Sequence, residues 1–201
     1  MWAVDKSLEA EMLFQKFKVR WDVEVESWRA KVNDPNLSEK EKPIRPSLYR
    51  VFVSLFKVDL IVMALLQLTF AACSIGGPMV LREIVNFLTD PTISMQTGYI
   101  YAALYGLLPL LGTLAQGHAF LRGFRLGMKV RALMTLSVFR KSLRLNSSIR
   151  QDPTMSQGRI TNLMSIDAQS FIESIPMIHN LWVSPLIIFV IIGLLYDILG
   201  K

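Results

Sequence analysis

The chain has 201 residues, 52% of them hydrophobic and 19% charged, and carries a net charge of +6 at neutral pH. A mean hydropathy of +0.38 is too high for an ordinary soluble domain. Cys73, the one cysteine, excludes a disulfide framework and a thiolate metal site, and reads as a small packing residue.

Residues 1–44 mix charges of both signs with Trp2, Trp21 and Trp28. Leu13, Phe14, Phe17, Trp21, Val25 and Trp28 recur at three- and four-residue spacing, which predicts an amphipathic helix lying on the membrane or on a partner domain. The first dozen residues suit a solvated linker equally well. No secretory signal is expected, because the first residues are charged and the first apolar run starts only near Val51.

A second helix is predicted from Pro46, with Ser47 as its cap. It runs through Tyr49, Val51, Phe52 and Phe56 into the first of three stretches that lack any charge, and so forms an elbow. The stretches are residues 60–81, 91–121 and 174–196, which hold 22, 31 and 23 residues. Each exceeds the roughly 20 residues that a helix needs to cross a hydrocarbon core about 30 Å thick. Buried helices of a soluble protein would keep a polar stripe, so three spans near 58–81, 99–121 and 174–196 are the simpler reading. Gly76-Gly77-Pro78 removes a backbone donor and permits a bend in the first span before Glu83.

The basic residues follow the spans. Lys40, Lys42, Arg45, Arg50 and Lys57 precede the first, and Arg122, Arg125, Lys129, Arg131, Arg140, Lys141, Arg144, Arg150 and Arg159 fill the loop 122–173, whereas only Arg82 follows the first span closely. By the positive-inside rule the amino terminus and the long loop are cytosolic. The basic excess is therefore topology, and no nucleic-acid partner is implied.

The second helix does not stop where a bilayer would end. Its pattern continues without proline to about Leu145, and a third helix from about Gln157 to Glu173 is polar and helical in period before the last apolar stretch. Asp152-Pro153 marks a turn between them, which places a hairpin tip roughly 35–40 Å beyond the bilayer.

Other patterns carry less. Gly112 to His118 has the glycine gap of a phosphate loop, but His118 replaces the lysine and no strand precedes it. Arg122, Arg125 and Arg131 resemble a voltage-sensor grid, yet the first and third spans supply no acids. Gly123 and Gly127 form a small-xxx-small pair that admits a close helix. His118 and His179 lack neighbours at ligand spacing and read as polar contacts. Pro109, Pro176 and Pro185 could kink their helices, and kinked helices around a midplane cavity suit a transporter without requiring one. The sequons at Asn36 and Asn146 fall on the cytosolic side and read as chance.

Three blocks carry a family likeness: Gly127 through Leu145, Gly158-Arg159-Ile160-Thr161-Asn162-Leu163-Met164-Ser165-Ile166-Asp167-Ala168-Gln169, and His179-Asn180-Leu181-Trp182-Val183-Ser184-Pro185-Leu186. Together they resemble the first transmembrane domain of C-subfamily ABC transporters, the multidrug-resistance-associated proteins. The resemblance implies an all-α membrane fold: part of a type IV exporter domain over residues 45–201, with three spanning helices and long cytosolic extensions. It implies that Ile149, Arg150, Gln151, Asp152, Pro153 and Met155 form the first coupling helix, which docks on a nucleotide-binding domain. ATP and Mg would act in the full transporter, with no catalytic, cofactor or metal residue in this chain. Substrates would be amphipathic compounds or organic-anion and glutathione conjugates, with Gln67, Phe70 and Trp182 as cavity candidates. Gln67 and Phe70 stand where anion transporters of the family often carry basic residues. The expected partners are the bilayer, the remaining helices and the nucleotide-binding domain, in a plasma or vacuolar membrane. The alternatives are a truncated membrane fragment acting only as an interaction module, or a channel component.

Overall fold

A computed structural model describes residues 10–33, 45–90, 92–144 and 157–199, and the side chains of all these except Gln157, Asp197, Ile198 and Leu199. The described residues are helical and contain no strand. Helix α1 spans Ala10–Val32, α2 Leu48–Thr89, α3 Met95–Leu143, α4 Gln157–Asn162, α5 Ala168–Ser174 and α6 Asn180–Leu199. A π-helical turn, Leu163–Asp167, joins α4 to α5, and a 3₁₀ turn, Ile175–Met177, follows α5.

Ser47 caps α2 as its sequence position predicts, its Oγ accepting a 3.4 Å bond from the Arg50 N–H. Asp90 ends the helix in an Asx turn, accepting from the Thr92 hydroxyl at 2.7 Å and the Thr92 N–H at 2.9 Å. These bonds, the hydroxyl first, hold the Asp90 carboxyl below the usual carboxylate range. Ser94 then opens α3, its backbone carbonyl accepting from the Thr97 N–H at 3.0 Å. At 42 and 49 residues, α2 and α3 are about 63 and 73 Å long, twice what a bilayer core requires. These two helices and the helical run Gly158–Tyr196 are each long and apolar enough to cross a membrane.

The contacts divide the chain into two compact units, Met1–Leu60 with Arg125–Ser174, and Ile61–Phe124 with Ile175–Lys201. In the first, the spaced apolar residues of α1 pack where the periodicity placed them: the Phe17 ring lies 6.0 Å from both Trp21 and Phe52. Arg20 donates to the Ser54 hydroxyl at 3.0 Å, and Glu24 accepts from the Ser47 N–H at 3.3 Å. Arg140 of α3 sits 4.4 Å over the Phe14 ring and also pairs with Glu11. Leu133, Val130, Leu126, Val51 and Phe56 are buried here. In the second unit Met63, Ala71, Ala115, Ala119 and Val183 are buried, and small residues dominate because helices in lipid associate by close packing instead of by water exclusion.

Two backbone features differ from the sequence expectation. The break in α2 is at Phe56 (φ −113°, ψ 15°), whereas Gly76-Gly77-Pro78 keeps helical dihedrals. Phe56 is buried and lies 6.1 Å from Phe52, and no glycine or proline stands at the kink. The third helix is also not continuous into its span: the π turn and the 3₁₀ turn interrupt it, and α6 begins only at Asn180. Pro176, which has no N–H, lies inside the second interruption.

Candidate functional site

Within the second unit the side chain of greatest chemical interest is Gln67 of α2, which is 5% exposed in a helix otherwise apolar over its span. Its Nε2 donates to Asn180 Oδ1 at 2.6 Å. A buried amide must find such a partner, because an unpaired one in hydrocarbon costs several kcal/mol. Next to Asn180, His179 accepts from the Trp182 indole N–H at 3.1 Å through Nδ1, while its Nε2 is buried and has no partner among the described residues. The Oε1 of Gln116 on α3 is likewise buried and unpartnered. The second unit therefore holds polar groups on α2, on α3 and at the start of α6, two of them with unused hydrogen-bonding capacity.

Phe70 lies elsewhere. It lines a groove of about 400 Å³ between α2 and α3 with Cys73, Ser74, Pro78, Tyr105, Pro109 and Thr113. Neither Gln67 nor Trp182 borders this groove. Trp182 is 41% exposed. Of the three cavity candidates, Gln67 and Trp182 thus cluster around His179-Asn180 and Phe70 does not. Sequence reasoning passed over Asn180 and Gln116; the signal available was an amide inside each uncharged stretch, the same signal that singled out Gln67.

In the first unit Lys129 of α3 pairs with Asp59 of α2 at 3.2 Å. Thr135 of α3 donates to the Met164 carbonyl inside the π turn at 3.4 Å, which occupies an acceptor in that irregular turn. Glycine permits the close approach of α3 to the third segment. A Cβ on Gly127 would stand 2.8 Å from the Ile172 Cα, and, in the second unit, one on Gly123 would stand 2.6 Å from the Pro176 Cα. The six residues expected to form a coupling helix, Ile149 to Met155, lie outside the described residues. No group of three potential metal-ligating side chains occurs among the described residues.

Residues 60–200 match the model of the ABC transporter transmembrane region. The chain belongs to this family. Its relatives are of the C subfamily, the multidrug-resistance-associated type. ABC transporter C family member 8 of Dictyostelium discoideum is 31% identical over 199 residues, covering 98% of this chain and 11% of the relative. ATP-binding cassette sub-family C member 3 of Mus musculus is 30% identical over 164 residues, 82% of the chain and 11% of the relative. Multidrug resistance protein mrp-7 of Caenorhabditis elegans is 26% identical over 175 residues, 87% of the chain and 11% of the relative. The chain thus spans about a ninth of the length of these relatives. Family and helices together make it an integral membrane protein, an ABC exporter component of all-α fold.

Proposed function

We propose that these residues supply three membrane helices and the first coupling loop of an ATP-driven exporter of amphipathic compounds or organic-anion conjugates. The observation that carries the reading is α3, one 49-residue helix in which an apolar span continues into a polar extension packed on the π turn and α5. A stiff helix of this length transmits displacement from a nucleotide-driven partner to a membrane cavity, which a loop would not. Ile149, Arg150, Gln151, Asp152, Pro153 and Met155 would meet the nucleotide-binding domain, on the cytosolic side that the basic residues favour. ATP and Mg would be held by that domain. Gln67 and Trp182, with the unpartnered atoms of His179 and Gln116, would offer hydrogen bonds to a polar substrate group, and Phe70 an apolar wall.

The test is ATP-dependent uptake of a fluorescent glutathione conjugate into inside-out vesicles from cells expressing the complete open reading frame that contains these residues. Uptake that falls at least tenfold with Asp152→Ala plus Arg150→Ala, while surface expression holds, is expected. A reading frame that closes after Lys201 and yields a stable product without uptake would overturn the proposal.

A further inference from the structure

Pro78 and Pro109 stand inside α2 and α3 and border the same groove of the second unit. A proline has no N–H to bond the carbonyl four residues back, so the carbonyls of Ser74 and Tyr105 lose their usual donors, and both of these residues line the groove too. In a membrane helix such a carbonyl is normally covered by a Ser or Thr side chain, a neighbouring helix or a water. Among the described residues no side chain donates to either one. Thr69 and Thr89 of α2 close onto the carbonyls of Leu65 and Val85, whereas the hydroxyls of Ser74, Tyr105 and Thr113 make no bond among the described residues. The floor of the groove is low: Gly112 brings its backbone against Cys73, and a Cβ on Gly77 would meet nothing within 4 Å. The contacts of Gly76 with Leu108 and of Gly112 with Cys73 set α2 and α3 antiparallel, with Tyr105 level with Val80.

We propose that this groove holds a sterol-type membrane lipid, a flat apolar ring system whose hydroxyl donates to the Tyr105 carbonyl. Its depth favours such an occupant. From Phe70 to Leu81 the groove rises about 16 Å, half of a hydrocarbon core about 30 Å thick, and Leu81 adjoins Arg82, the first charge after the span. The groove is therefore one leaflet deep and opens towards the headgroups, where Tyr105, 43% exposed, supplies a carbonyl and a phenol together. An acyl chain would fill the apolar floor but leave the freed carbonyl without a donor. A further helix would bring no N–H to it, since its own amides are already paired. The proposal requires membrane insertion only and is independent of any transport activity.

The experiment is photolabelling of the full-length protein that contains these residues, in nanodiscs, with a cholesterol analogue carrying a diazirine in its alkyl tail, followed by mass spectrometric mapping. Label is expected near Phe70 and Thr113, the deep end of the groove. Cholesterol should displace it about tenfold better than cholesterol 3-methyl ether, which keeps the rings and lacks the donor, because one hydrogen bond in a site without water carries about that factor. Pro109→Ala returns an N–H to the Tyr105 carbonyl, so the two competitors should then come within about threefold of each other. Tyr105→Phe keeps that carbonyl and should leave the difference in place. Gly77→Leu should fill the floor and cut labelling about tenfold, whereas Gly117→Leu, at an equally open position away from the groove, should not. Equal competition by the methyl ether, a preference that persists in Pro109→Ala or vanishes in Tyr105→Phe, labelling untouched by Gly77→Leu, or no labelling because another helix covers the groove would each overturn the proposal. The competition arm uses the unmodified protein, so it decides the matter even where a variant does not fold.

Discussion

Gln67 and Asn180, 113 positions apart in sequence, share a 2.6 Å hydrogen bond between the uncharged stretches of two helices. Bonds of this type inside a membrane contribute about 0.6 kcal/mol on average and up to about 1.7 kcal/mol. Gln67→Leu should destabilise the chain by about 1–2 kcal/mol, because Asn180 is then left without its partner. Adding Asn180→Leu should restore most of the loss. Steric trapping or detergent unfolding of both single variants and the double variant measures the coupling; additive losses would show that the bond contributes nothing.

Alanine should be poorly tolerated at Gly123 and Gly127 and well tolerated at Gly117. At the first two a new Cβ meets backbone atoms at 2.6 and 2.8 Å, which cannot rotate away, while at Gly117 nothing lies within 4 Å. Overpacking of this kind costs about 1–3 kcal/mol, and Gly117→Ala should gain about 0.5–1 kcal/mol from backbone entropy. Thermal unfolding followed by size-exclusion chromatography ranks the three variants.

Lys129→Met should cost about 1–2 kcal/mol, since it strands Asp59 where α2 turns apolar. The pair is partly exposed, so the cost stays below the roughly 3–5 kcal/mol of a fully buried pair. Lys129→Met combined with Asp59→Leu should be close to neutral. Chemical denaturation of the three variants reads both outcomes.

Docking of α1 should weaken in acid. The Arg140 hydrogen bond, helped by Gln15, holds the Glu11 carboxyl below the usual carboxylate range. A depressed carboxylate pKa favours the folded state above the ordinary value, and that contribution disappears as the pH falls through the lower, folded value. Glu11 is exposed, so the effect is local and weak. Hydrogen exchange of residues 10–20 should quicken as the pH falls below about 4, after correction for intrinsic rates. In Glu11→Gln the rates should be elevated at every pH and lose that dependence.

Much of the fold was legible because a bilayer imposes lengths: uncharged runs of 22, 31 and 23 residues have few other uses. Ser47 as a cap, the spacing of Phe14, Phe17 and Trp21, and the glycine pair at 123 and 127 were equally readable, since each rests on local geometry. The kink at Phe56 was not, because it carries no glycine or proline signature. Gly76-Gly77-Pro78 has that signature yet stays helical, with Leu108 packed 3.3 Å from where a Gly76 Cβ would stand. The π turn at Leu163–Asp167 has no compositional mark. At the candidate site Gln67 stood out as an amide in an apolar run, and Asn180 carries the same signal, but that the two pair became visible only through a contact between residues 113 positions apart.

Gly123 and Gly127, two of the glycines of α3, also bear on how the third segment is covered. Ile172 precedes the turn at Ile175–Met177 and Pro176 lies within it, and each has bare glycine backbone pressed against it. Hydrocarbon solvates no peptide group, so an unwound turn persists there only when protein covers it. Gly123 thus acts as a lid over the weakened backbone at Pro176. A substitution at Gly123 would do more than crowd Pro176: it would uncover the turn, so position 123 should rank among the least variable of α3 in any pool of functional sequences.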